Sequence, residues 1–190
     1  MGNTVGSLTQ EQKSIIIGSL LGDGYLRIVP GRENAFLEIN HSISEKDYVD
    51  WKYQKLKNLV KSPPKARKGK GKRIAYRFFT KKHPGITRLY QKFYRSKEKI
   101  IPNLKLNPLI MAVWFMDDGS KSYRTYYLNT QRFDYQSQKK LIHMLKECGI
   151  DSLLNRDKRY YRIRIRQNSA ERFKELIRNY IIPSMEYKLG

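Results

Sequence analysis

The chain has 190 residues and carries 39 Lys and Arg against 17 Asp and Glu, a formal charge of +22. Its 39% apolar and 12% aromatic content is enough to bury a core and excludes a disordered basic tail, while the lone Cys148 excludes an internal disulfide framework or a Cys-rich zinc site. Three scattered histidines (His41, His83, His143) argue against a His metal cluster, and the apolar runs fall short of the roughly 20 residues of a membrane span.

No signal-peptide pattern opens the sequence, so an intracellular, soluble protein with no membrane partner is expected. Whether the compartment is an organelle (mitochondrion or chloroplast) or a prokaryotic cytoplasm stays open. So large a positive excess on a folded chain calls for a polyanionic partner, and nucleic acid fits best.

The first predicted element is a helix. Thr9-Gln10-Glu11-Gln12 forms a capping box ahead of an apolar run, Ile15 to Leu21, that ends in Gly22-Asp23-Gly24. A strand-like stretch follows and reaches Leu37-Glu38-Ile39-Asn40-His41. Ser44 then serves as the N-cap of an amphipathic helix marked by Tyr48, Trp51, Leu56 and Leu59. Lys61 to Lys82 holds ten bases and no acid. Two more strands are predicted over this region, then a helix from Ile86 to Ile101-Pro102.

The same order then returns. Asn107-Pro108 is an N-cap followed by proline at the first helical position. It opens a second apolar run, Leu109 to Met116, ending in Asp117-Asp118-Gly119. Asp118 lies 95 residues beyond Asp23, half the chain length. A strand-like stretch reaches Tyr127-Leu128-Asn129-Thr130-Gln131. A helix is predicted near Gln136 to Cys148, stopped by Gly149, and another from Ala170 to Ile182-Pro183. Between them Arg162-Ile163-Arg164-Ile165-Arg166 alternates strictly, which in a strand puts three arginines on one face and two isoleucines on the other. Guanidinium forks in a row suit phosphates and guanine edges.

The chain therefore reads as a duplicated unit of helix, two strands, helix, two strands, helix, with a first repeat over 1–104 and a second over 105–190 forming one body. Both acid-tipped helices are apolar all round and should be buried. A carboxylate at the negative end of a helix dipole is unfavourable, so something cationic should offset it.

These two segments resemble the paired motifs of the LAGLIDADG homing endonucleases. Ile16 to Gly24 matches the nine-residue motif at Gly18, Asp23 and Gly24. Met111 to Gly119 matches at Ala112, Asp118 and Gly119, with Val113 where the motif has glycine. The run from Trp114 to Gly119 and the ending Ile182 to Leu189 are similar to the single-chain, intron-encoded branch.

The resemblance implies an α+β fold. Two αββαββα repeats are related by a pseudo-twofold, the motif helices pack at the centre, and antiparallel sheets form a DNA-binding saddle. It also implies a monomeric, site-specific double-strand DNA endonuclease that hydrolyses phosphodiesters with Mg²⁺, or Mn²⁺ in its place, at a long asymmetric target. Asp23 and Asp118 would be the metal-binding carboxylates, Asp117 a supporting neighbour, and Lys99 and Lys188 the lysines at the scissile phosphates, with Lys97 close by. Gln131 and, at the matching place, His41 would orient water. Arg73, Arg77, Tyr126, Arg162, Arg164 and Arg166 are the candidate DNA contacts. Two other readings stay open: an intron maturase acting on host intron RNA, and a non-catalytic basic nucleic-acid-binding protein.

Overall fold

A computed structural model describes residues 7–69 and 73–190; Lys70 and Lys72 of the basic stretch lie outside the described residues. The chain divides into two compact units, Met1–Lys92 and Phe93–Gly190. The repeat boundary expected between 104 and 105 lies in the extended segment between the hairpin that opens the second unit and that unit's first long helix.

The first unit begins with α1 (Gln10–Leu21). Its start is fixed by the capping box: Thr9 Oγ1 accepts from the Gln12 amide at 3.1 Å, and Gln12 Oε1 accepts from the Thr9 amide at 3.0 Å. Ile15, Ile16, Leu20 and Leu21 have no exposed surface, as expected for a helix apolar on every side. Then come β1 (Tyr25–Arg27), β2 (Phe36–Ser42), α2 (Lys46–Leu56), β3 (Lys65–Lys68), β4 (Ile74–Phe79) and α3 (Pro84–Phe93). The strands form one antiparallel sheet in the order β1-β2-β4-β3. The expected cap at Ser44 is corrected: a 3-10 turn, Ile43–Glu45, precedes α2, and it is Ser42 Oγ that accepts from the Ser44 amide.

The long helix expected to run from Ile86 to Ile101 is broken. It stops at Phe93, and β5 (Tyr94–Arg95) turns back on β6 (Glu98–Lys99). Ser96 and Lys97 occupy the turn with φ of 47° and 71°, the left-handed geometry of a two-residue hairpin. Then follow α4 (Pro108–Asp118), β7 (Gly119–Ser122), β8 (Thr125–Leu128), α5 (Tyr135–Glu147), β9 (Ser152–Asp157), β10 (Tyr160–Ile165) and α6 (Gln167–Arg178). Asn107 Oδ1 caps α4 through the Ile110 amide at 2.8 Å, with Pro108 at the first turn. The last helix ends four residues short of Ile182, and a 3-10 segment, Pro183–Lys188, follows.

The second sheet has the order β7-β8-β10-β9, the same arrangement as the first. The registers make the duplication exact enough to align. Ile39 faces Phe78 in the first sheet and Leu128 faces Ile163 in the second, all four buried. Both ladders therefore turn alternate residues toward the helices. Glu38, Asn40 and Arg77 fall on the opposite, open face of the first sheet, and Tyr127, Arg162 and Arg164 on that of the second.

Candidate active site

The two motif carboxylates sit where a helix hands over to a strand. Glycine is required after each by close approach rather than by backbone angle. A Cβ on Gly24 would meet the Ser19 Cβ and carbonyl oxygen at 2.8 Å. On Gly119 it would meet the Phe115 ring at 2.1 Å and the Phe115 carbonyl oxygen at 2.4 Å. The chain can fold back onto the last turn of α1 or α4 only without a side chain there, and this fold-back is what displays Asp23 and Asp118.

In the first unit Asp23 is 46% exposed and its Oδ2 lies 3.9 Å from His41 Nδ1. His41 is buried on the helix side of β2. Its Nδ1 is 2.9 Å from Glu45 Oε2, and its ring stands edge-on to Tyr48 of α2. A polar cleft of about 380 Å³ opens beside Asp23, bordered by Tyr25, Arg27, Asn40, Glu45 and Arg73. The Glu38 carboxylate, 11% exposed, lies between Arg27 at 3.4 Å and Arg77 at 3.6 Å, and the Arg77 guanidinium also stacks on Phe79 at 5.3 Å.

In the second unit Asp118 Oδ2 accepts from Arg132 at 3.2 Å and its side chain is 19% exposed. The Lys188 ammonium donates to the carbonyl oxygens of Met116 and Asp117 in the last turn of α4. An ammonium on the negative end of a helix is the cation that this acid-tipped helix needed. Arg132, by contrast, carried no spacing signal in the sequence.

Several expectations are corrected by the geometry. The ladder registers pair Asn40 with Asn129 and His41 with Thr130, so Gln131 falls at the place of Ser42 and not of His41. Gln131 Nε2 donates to Asp157 Oδ2 at 2.9 Å, away from Asp118. Tyr126 is withdrawn as a DNA contact. It shares the core face of β8 with Leu128, packs edge-on against Phe115, and donates its hydroxyl to the Leu189 carbonyl at 3.2 Å. Burial pushes that phenol above its ordinary pKa. Tyr127 is the residue that faces outward there, with Arg162 stacked over its ring at 3.9 Å. The row of three arginines is a pair. β10 ends at Ile165, and Arg166 is the N-cap residue of α6, set beside Lys146, Asp151 and Asn168. Lys99 lies half-buried on β6 of the hairpin, opposite Tyr94.

Among the described residues no group of three or more His, Cys, Asp or Glu side chains is set to chelate an ion. The donors offered are single carboxylates at helix ends. That set fits a hard divalent cation whose remaining ligands are water and phosphate oxygens, and does not fit zinc or another ion bound by nitrogen and sulfur. No helix among the described residues is long and apolar enough to cross a membrane.

A model of the LAGLIDADG DNA endonuclease family matches residues 13–173. The chain belongs to this family. Among relatives, a probable intron-encoded endonuclease 1 of Wickerhamomyces canadensis is 30% identical, with 96% of this chain and 85% of that protein covered. The cytochrome b mRNA maturase bI2 of Saccharomyces cerevisiae is also 30% identical over the whole chain, which spans half the length of that protein. The solved structure of the homing endonuclease I-WcaI bound to its DNA recognition sequence matches with a TM-score of 0.90 and 28% identity, covering 97% of this chain and 88% of that one. The structure of I-DmoI in complex with DNA and Mn matches at 15% identity and a TM-score of 0.58, with 88% and 96% covered, a likeness of fold. The α+β LAGLIDADG fold, with its antiparallel sheets, is thereby established for this chain.

Proposed function

We propose that the chain is a site-specific double-strand DNA endonuclease that works as a monomer with Mg²⁺, or with Mn²⁺ in its place. The observation that carries this reading is the pair of carboxylates, Asp23 and Asp118, each displayed at a helix end by the same glycine fold-back. Each would hold a divalent ion against one strand of a single duplex. When bound, the ion supplies charge stabilisation on phosphate oxygens and a water of lowered pKa.

The chain's own groups supply the rest. Lys188 fixes the end of α4 and brings positive charge to the carboxylate's side of the unit; Lys99, on its hairpin, is the proposed counterpart for the other phosphate. Arg132 holds Asp118 in one orientation while the site awaits DNA. His41, pinned by Glu45, would fix the Asp23 side chain rather than act on water directly. Gln131, bonded to Asp157, is better placed to set the β8–β9 end of the open face than to orient water.

Arg73, Arg77, Arg162 and Arg164 are the proposed DNA contacts, and the chain's charge of +22 supports a long footprint on the phosphate backbone. The test is selection of cleaved sites from a randomised duplex pool. In Mg²⁺ the protein should return one long asymmetric sequence, and in a chelator none. Cleavage without sequence preference, or enrichment without metal, would reject the reading. A splicing role for the same fold rests on the likeness to the yeast maturase and is separable: a double Asp23→Asn, Asp118→Asn protein should lose cleavage and keep any intron-splicing activity.

A further inference from the structure

The open face of the first sheet carries an apolar feature that the cutting chemistry does not use. Phe36 and Phe79 pack edge-to-face, ring centres 5.9 Å apart, and Phe79 is 40% exposed. Both point away from the helices, on the face shared with Glu38 and Arg77. They floor a cleft of about 910 Å³ rimmed by Lys61, Lys65, Arg67, Arg77, Lys81 and Lys82, with no acid in its lining among the described residues. An exposed phenyl ring beside a half-buried one, on a sheet face this basic, costs solvation unless something covers it. Six cations identify the cover as a polyanion, and the rings require an apolar group on it.

We infer that Phe36 and Phe79 form a thymine-reading subsite, with the C5-methyl of a thymine in the DNA major groove seated against the Phe79 ring. The inference rests on the proposed endonuclease reading. The methyl is the one apolar group that a base pair presents in the major groove, and phenylalanine is among the side chains suited to it. Arg77 is held at the same spot by Glu38 and by stacking on Phe79, so its fork is aimed before DNA arrives. The subsite is not at the cutting position. Phe36 lies four residues along β2 from Asn40, which borders the Asp23 cleft, or roughly 13 Å at about 3.3 Å per residue. It reads the outer flank of the half-site, not its centre.

The test uses the full chain and the target recovered by selection. Thymines in the flank are replaced one at a time by deoxyuridine, which removes only the methyl. At one or two flank positions wild type should lose about fourfold in affinity, the worth of one buried methyl group. Phe79→Ser should be indifferent to the same replacement, and Phe79→Leu, which keeps an apolar contact, should still sense it. Lys65→Ala should weaken binding to both DNAs equally and lower its salt dependence. The inference is overturned if wild type ignores every flank methyl, or if Phe79→Ser weakens binding by the same factor with and without it. A wild type that recovers no target at all rejects the endonuclease reading itself, which is a different result.

Discussion

The same position is solved differently in the two units. Arg77 and Arg162 occupy equivalent places in the two ladders, and their neighbours across the sheet, Glu38 and Tyr127, are equivalent too. In the first unit this neighbour is a carboxylate that pairs with the guanidinium, which also lies over Phe79; in the second the neighbour is itself the aromatic face that supports it. The helix ends differ in the same sense. Asp23 is open and sits near a histidine that is itself tied to a second carboxylate, Glu45. Asp118 is shielded and held by Arg132, over a helix end capped by Lys188. One fold therefore surrounds its first motif carboxylate with a histidine and a further carboxylate, and its second with an arginine and a lysine.

The two units should differ most in what they lose at the motif glycines. Gly119→Ala would drive a Cβ into both the ring and the carbonyl of Phe115, while Gly24→Ala meets only Ser19 at a longer distance. Gly119→Ala should cost about 3 kcal/mol and Gly24→Ala about 1 kcal/mol, read from urea midpoints at constant slope. Equal costs would mean that the two fold-backs are not as different as their contacts.

Next in size is Lys188→Met, which keeps the stem and removes the charge from the α4 carbonyls. A loss of about 1–2 kcal/mol is expected in the same measurement, largely restored in Lys188→Arg. Arg132→Gln should change stability by less than about 1 kcal/mol, because the pair is partly exposed and screened. Its signature is instead tighter binding of Ca²⁺ to the DNA complex, read by calorimetry, since the ion no longer competes with a guanidinium. His41→Gln should show no such gain.

The smallest effect is on pH. His83 Nδ1 accepts from the Gly85 amide at the start of α3, which only the neutral ring can do, and burial followed by the Arg88 charge holds its pKa below the ordinary 6.5. A depressed histidine contributes stability above its unfolded pKa and loses it as pH falls through the folded one. Asp134 caps α5 through the Ser137 amide at 2.7 Å, and that bond above all lowers its carboxyl below the ordinary 3.8. It follows the same sign in a more acidic window. The protection of amides in the first turn of α3, taken relative to free-chain exchange at the same pH, should therefore fall on acidification below about pH 6.5, while that of α5 holds until below about pH 4. His83→Gln should flatten the first response and leave the second.

Much of this was legible in the sequence wherever one local rule decided the outcome. Thr9 and Gln12, and Asn107 with Pro108, announce their helices because caps act over three residues. The motif carboxylates were legible because they occur twice. The β5–β6 hairpin was not, since its turn residues, Ser96 and Lys97, are neither glycine nor asparagine and give no sign of a positive φ. Tyr126 was misplaced because Tyr126 and Tyr127 have one composition and opposite faces, and only the register with β7 and β10 chooses between them. The one-residue offset that pairs His41 with Thr130 is the same kind of error, as a strand's period of two makes every register slip a change of face. Arg132 reaches Asp118 through tertiary geometry that no spacing encodes.

Breaking a duplex should require both Asp23 and Asp118. A supercoiled plasmid carrying the selected target should be linearised by wild type in Mg²⁺. Asp23→Asn and Asp118→Asn, each folded by circular dichroism and each still binding the target, should yield no linear product. Full linearisation by either variant would contradict the account.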